Sequence, residues 1–249
     1  MKTALFISML GERVHFRPED YRSLCPTGLE KDWVLKWHFA NAEKAGLALS
    51  SVDICRGDLL PTIEDIDRLV LGGTMHVITE NRPWLHQLTD WLHDYRRTQR
   101  PLLAICGGHQ LLATRFGDGK LVGRPDGTLS GTCAVKLTAD GRAHPLFLGL
   151  PETPRFHFAN YLHVLPAETT TTKILATQPE SPAIALDHGG NWFSCQFHPE
   201  SRKQSWDIYY SALDAGYTSA YAEEHDGEQL MVNFFQFQSQ QSCSQFRPS

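Results

Sequence analysis

One stretch constrains this chain more than any other: Pro-Leu-Leu-Ala-Ile-Cys-Gly-Gly-His-Gln-Leu-Leu-Ala, from Pro101 to Ala113. Leu102–Ile105 is a short apolar run behind a proline, the pattern of a buried strand. Cys106, Gly107 and Gly108 follow, and Gln110, Leu111, Leu112 and Ala113 then read as a helix. A strand that turns sharply into a helix lifts the turn residue out of the sheet. Its side chain stands at the carboxyl edge beside a helix N-terminus, the geometry of a nucleophile elbow with Cys in place of Ser. Paired glycines let the backbone bend and approach closely. The free N–H groups of the helix start favour a thiolate and negative charge on a nearby oxygen. Taken alone, the stretch fits a small buried residue in a turn as well as it fits a reactive sulfur.

A second stretch decides between them. Trp192-Phe193-Ser194-Cys195-Gln196-Phe197-His198-Pro199-Glu200 is an apolar strand ending in His-Pro-Glu. On extended backbone, residues two apart face the same side, so Glu200 can fix the imidazole that His198 presents. Pro199 lacks a ladder donor and suits a strand end. Cys106 within Ala-Ile-Cys-Gly-Gly-His-Gln, followed by Gln-Phe-His-Pro-Glu, resembles the class I (triad) glutamine amidotransferases, which use Cys, His and Glu in this chain order. Asp67-Arg-Leu-Val-Leu-Gly-Gly-Thr74 resembles the family's apolar strand ending in paired glycines, and Gly227–Phe234 its closing helix.

The resemblance implies an α/β fold: a three-layer sandwich with a mostly parallel central sheet, flavodoxin-like. It implies that Cys106 attacks a γ-glutamyl amide, His198 carries the proton, and Glu200 orients the ring. The oxyanion would lie between the N–H groups of Gly73 and Gly107; Gly72 and Gln110 would contact substrate. No cofactor or metal is implied. The expected substrate is glutamine or another γ-glutamyl amide. With no synthetase domain in the chain, ammonia would pass to a separate synthetase or transferase partner. Two other readings stand beside this: a free-standing hydrolase of a γ-glutamylated amine, and a silent binding module on the same fold. One departure is Ala104, where many relatives have Gly two residues before the nucleophile; Ala there resembles the free-standing γ-glutamyl amide hydrolases.

Composition narrows the setting. The 249 residues allow one large α/β domain, and a net charge of −5 argues against a general binder of nucleic acid or anionic membrane. Six cysteines without a C-x-x-C pair fit neither a zinc ribbon nor a secreted disulfide framework, so free thiols in a reducing cytoplasm are expected. The run Ala4–Leu10 is too short to cross a membrane and reads as the first strand.

The expected domain is 1–238, followed by a Ser/Gln-rich flexible tail, 239–249. Two segments exceed what relatives usually carry. The irregular 11–30 reads as either a loop without a role or a flap over the site. The aromatic-rich 201–226 reads as a helical cover, a dimer face or extra core. Trp33 and Trp37 share a helix face and suit core packing better than a substrate platform. His86 and His93, seven apart on a helix, do not read as metal ligands. The spacing of His157, Asn160 and His163 fits no standard zinc site and suits site-wall packing. Thr132–Thr138 reads as a strand, and Phe156–Pro166 follows the connector 144–151.

Overall fold

A computed structural model describes residues 2–167, 172–213 and 215–238; the expected tail 239–249 lies outside them. In chain order the first half contains β1 (Lys2–Ser8), α1 (Glu30–Lys44), β2 (Leu47–Asp53), β3 (Arg68–Leu71), α2 (Pro83–Arg97), β4 (Leu102–Ile105) and α3 (Gly107–Arg115). Then come β5 (Lys120–Gly123), β6 (Leu129–Ala134), β7 (Lys136–Leu137), α4 (Ala139–Ala143), β8 (Arg155–Asn160) and β9 (Leu162–Leu165). The last part holds β10 (Lys173–Gln178), β11 (Ser181–Asp187), β12 (Trp192–Cys195), α5 (Lys203–Leu213) and α6 (Gly227–Gln236).

Side-chain alternation in the short apolar strands sets the layers. Ala4, Phe6, Val70, Leu103 and Ile105 join one buried cluster with Trp33 and Val34 of α1 and Leu230 and Phe234 of α6. Leu5, Ile7, Leu69, Leu71, Leu102 and Ala104 join the other, with Leu85, Leu88 and Leu92 of α2 and Leu111 and Leu112 of α3. Strands buried on both faces read as unbroken apolar runs, which is why their sequences do not alternate.

The main sheet has eight strands in the order β2-β1-β3-β4-β12-β11-β10-β7. The first five run parallel. The last three turn antiparallel, beginning with the β11–β12 hairpin across Gly189, Gly190 and Asn191, all with positive φ. This α/β sheet with helices on both faces agrees with the expected three-layer, mostly parallel sandwich.

One local expectation is corrected. Thr132–Thr138 is not one strand: β6 pairs with β8 in a separate two-stranded sheet, whereas β7 lies at the edge of the main sheet. Buried Val135 makes the switch, its N–H donating to Pro154 O at 2.9 Å. The stretch 156–166 holds two strands that part at Tyr161, β8 pairing with β6 and β9 with β5.

Candidate active site

The site is built where β3, β4 and β12 end together. Cys106 follows β4 with φ 50° and ψ −106°, a left-handed conformation that typically costs a non-glycine residue roughly 1–3 kcal/mol. Its N–H donates to Cys195 O at 2.8 Å, and Gln110 N–H returns to Cys106 O at 3.0 Å. The next two positions admit no side chain. A Cβ on Gly107 would lie 2.4 Å from Thr74 Cγ2, and one on Gly108 would lie 3.0 Å from Leu71 O. The start of α3 is thus packed against the 72–74 turn.

That turn is itself fixed. Gly72 N–H donates to Ile7 O (2.9 Å), and Met75 N–H to Leu10 O (2.8 Å). A Cβ on Gly73 would fall 3.0 Å from His198 Cε1 and 3.8 Å from Cys106 Sγ, so the turn, the sulfur and the imidazole converge.

His198 arrives from β12. Its N–H donates to His157 O at 2.8 Å, and its Nδ1 lies 2.8 Å from Glu200 Oε1. With Nδ1 engaged, Nε2 is the nitrogen left to hydrogen-bond Cys106. Burial works against a charged ring here, but Glu200 and Cys106 outweigh it and hold the His198 pKa well above the usual histidine range. The site is therefore poised as an imidazolium beside sulfur, braced from behind by a carboxylate. Ser201 Oγ donates to His198 O (3.0 Å), Trp206 Nε1 donates to Ser201 Oγ (2.9 Å), and the Trp206 ring stands edge-on to His198 at 4.9 Å.

All seven residues singled out in the sequence gather at this point. Gln110 lies one turn along α3, and its Nε2 donates to Gln196 Oε1 at 3.1 Å. Gln196 was not singled out, although it belongs to the Gln-Phe-His-Pro-Glu run; its Nε2 reaches Cys106 Sγ at 3.5 Å.

Glu30 was also missed. It opens α1, accepts the Ser8 hydroxyl at 2.7 Å and lines the cavity above Cys106. Burial, reinforced by the charge of Glu200 against the Ser8 hydrogen bond, pushes its pKa up to about 8. An acidic residue in a first helical turn suits the dipole, so the sequence offered only an ordinary reading of it.

The cavity is about 210 Å³. Its lining includes Gln110, Thr128, Asn160 and Leu162, and a group of aromatic rings: Tyr21 and Trp33 with Trp206, Tyr209 and Tyr210 from α5. Segment 11–30 therefore supplies Tyr21 to the wall and is itself packed, with Glu12 accepting from Arg82 (2.9 Å) and Trp84 (3.1 Å). From segment 201–226, α5 supplies Trp206, Tyr209 and Tyr210 to the lining, and Trp206 stacks on Tyr221 at 5.1 Å. Trp33 belongs to both the core and the cavity wall.

Among the described residues, no three His, Cys, Asp or Glu side chains group as a metal site. His157 stacks on His225 at 3.8 Å, whereas His163 bonds Ser181 Oγ at 2.9 Å. Burial takes the pKa of His157 and His109 down to about 3, and both stay neutral. Among the described residues no helix is long and apolar enough to cross a membrane.

A parallel sheet carrying a Cys elbow beside a His-x-Glu strand end defines the class. The sequence profile of the glutamine amidotransferase class-I family matches residues 44–214, and the chain belongs to that family. It is 33% identical over 117 residues to the imidazole glycerol phosphate synthase subunit HisH of Symbiobacterium thermophilum, covering 43% of this chain and 55% of that protein. It is 38% identical over 105 residues to the glutamine-hydrolyzing GMP synthase of Aeropyrum pernix, covering 41% of this chain and 19% of that protein. The chain thus spans about half the length of the first of these curated relatives, and less of the second. In fold it is similar to a glutamine amidotransferase from Thermotoga maritima, with a TM-score of 0.70 at 17% identity over 94% of this chain and 95% of the other. A glutamine amido transferase from Methylobacillus flagellatus is also similar, at a TM-score of 0.66 and 14% identity over 94% and 92%.

Proposed function

We propose that the chain hydrolyses the side-chain amide of L-glutamine through a γ-glutamyl thioester on Cys106, giving glutamate, with ammonia passing to a separate synthetase. The observation that carries this reading is the convergence of Cys106 Sγ and the His198 ring on the Gly73 turn, with His198 Nδ1 held 2.8 Å from Glu200 Oε1. In the proposed chemistry, Cys106 Sγ attacks the amide carbon and His198 delivers its proton to the leaving nitrogen as the C–N bond breaks. The tetrahedral oxygen is held by the N–H groups of Gly73 and Gly107. Losing one such donor raises a barrier by roughly 3–4 kcal/mol. Water, deprotonated by His198, then cleaves the thioester and restores the thiol. Gln110 and Gly72 contact the glutamyl half. The names of the HisH and GMP synthase relatives support hand-over to a synthase partner.

The test is glutamate release by the purified chain, with Cys106→Ala as the blank, measured with and without candidate synthetases. Release abolished by Cys106→Ala and raised by one partner supports the reading; release unaffected by Cys106→Ala overturns it. A second reading, hydrolysis of a γ-glutamylated amine, shares every step except the identity of the leaving group. It is favoured by one specific observation, the aromatic wall beside His198.

A further inference from the structure

The proton donor fixes where the leaving group lies. If His198 protonates the departing nitrogen, whatever that nitrogen carries extends to the His198 side of Cys106, away from Gln110. That side is furnished far beyond the needs of ammonia. Trp206 stands against the imidazole, and Tyr209 on the same helix lies close enough to feel the charge of Cys106. Tyr210 packs beside Tyr209 at 4.8 Å. In the same lining Tyr21 stacks on Trp33 at 5.1 Å. Glu30, 6% exposed, lines the same cavity. One of its carboxylate oxygens takes the Ser8 hydroxyl, and the other has no hydrogen-bond partner among the described residues. No Lys or Arg lines the cavity among the described residues.

Away from His198, aromatic rings and a carboxylate with a spare acceptor, with no Lys or Arg, favour positive charge over negative. We propose that this half of the cavity is a leaving-group site for an amine carrying a second, positively charged nitrogen, so that the chain cleaves γ-glutamyl amides of short diamines. The inference rests on the Cys106 thioester chemistry above. The balance is simple: amide and water give glutamate and the free diamine. The C–N bond breaks as the nitrogen takes the His198 proton, and the C–S bond breaks when water attacks the thioester. The remote ammonium sits on Glu30 among the rings of Tyr21, Trp33, Trp206, Tyr209 and Tyr210. Binding a cation favours the ionised carboxylate that burial otherwise opposes.

The experiment compares kcat/KM for glutamine, the γ-glutamyl amide of 1,4-diaminobutane, that of n-pentylamine as the neutral isostere, and that of 4-aminobutanoate as the anionic one. The diamine amide is expected to exceed the pentyl amide by at least about ten-fold, with the anionic amide lowest. Glu30→Gln is expected to bring the diamine-to-pentyl ratio to within about three-fold. Tyr209→Leu lowers the same ratio and serves if the buried substitution fails to fold. A diamine amide no better than the pentyl amide, or a ratio that survives both substitutions, overturns the proposal while glutamine turnover leaves the thioester chemistry standing. No turnover of any amide, or turnover that persists in Cys106→Ala, overturns both.

Discussion

Cys106 is distinguished from the other described cysteines by its neighbours more than by its exposure. Burial pushes the thiols of Cys55, Cys133 and Cys195 up, so these three resist ionisation. Cys106 faces an imidazole that stays charged well above the usual range. Iodoacetamide at pH 6 is therefore expected to label Cys106 first, as peptide mapping would report. His198→Ala should slow that labelling by at least about ten-fold, because the sulfur loses the charged ring beside it. Equal labelling in both proteins would show that the ring does not activate the sulfur. Glu30 makes a separate prediction about stability. Its pKa rises from 4.5 to about 8 on folding, so between these values the native state holds a proton that the unfolded chain has released. Stability is full below the lower value and falls as pH rises toward the upper, with a limiting slope of about 1.4 kcal/mol per pH unit. Thermal melts of Glu30→Gln, which still accepts from Ser8, should lack that decline and exceed wild type at pH 8.

At the scale of elements, the junctions do more than the elements they join. Gly107→Ala puts a methyl 2.4 Å from Thr74 Cγ2, forcing α3 away from the turn that carries Gly73. If the proposed chemistry holds, glutamate release should fall by roughly a hundred-fold or more, with near-native circular dichroism, because the proposed oxyanion donor is displaced while the sheet remains. Trp206→Ala removes the ring against His198 and the donor to Ser201, and should lower activity with a smaller loss of stability than a core truncation. These junctions were also the most legible parts of the sequence. The elbow shows because a strand, a Cys and two glycines allow few other geometries, and Gln-Phe-His-Pro-Glu shows because a proline ends the strand where chemistry begins. Glu30 and the α5 aromatics were not legible in the same way. A first-turn acid and an aromatic helix face are what any packed helix carries, and only tertiary placement brings Glu30 beside the His198–Glu200 pair. The division at Val135 escaped for a like reason: a run of β-forming residues does not announce a change of sheet.

For the whole molecule, the central parallel strands hold two cores at once. Leu103 of β4 is 1% exposed and belongs to the α1–α6 cluster, while its neighbours Leu102 and Ala104 face α2 and α3. Leu103→Ala should destabilise by about 2–5 kcal/mol and lower the melting temperature by about 2–4 °C for each kcal/mol, as calorimetry would report. The pairing of β4 with β12, Ile105 opposite Cys195, has a further consequence in time. During synthesis the sulfur emerges from the ribosome long before the ring that faces it, and β12 can join β4 only after the intervening chain has been made. Until that late addition the nascent sulfur lacks the imidazole that the proposed chemistry requires. Closing the sheet is thus the step that brings the two together.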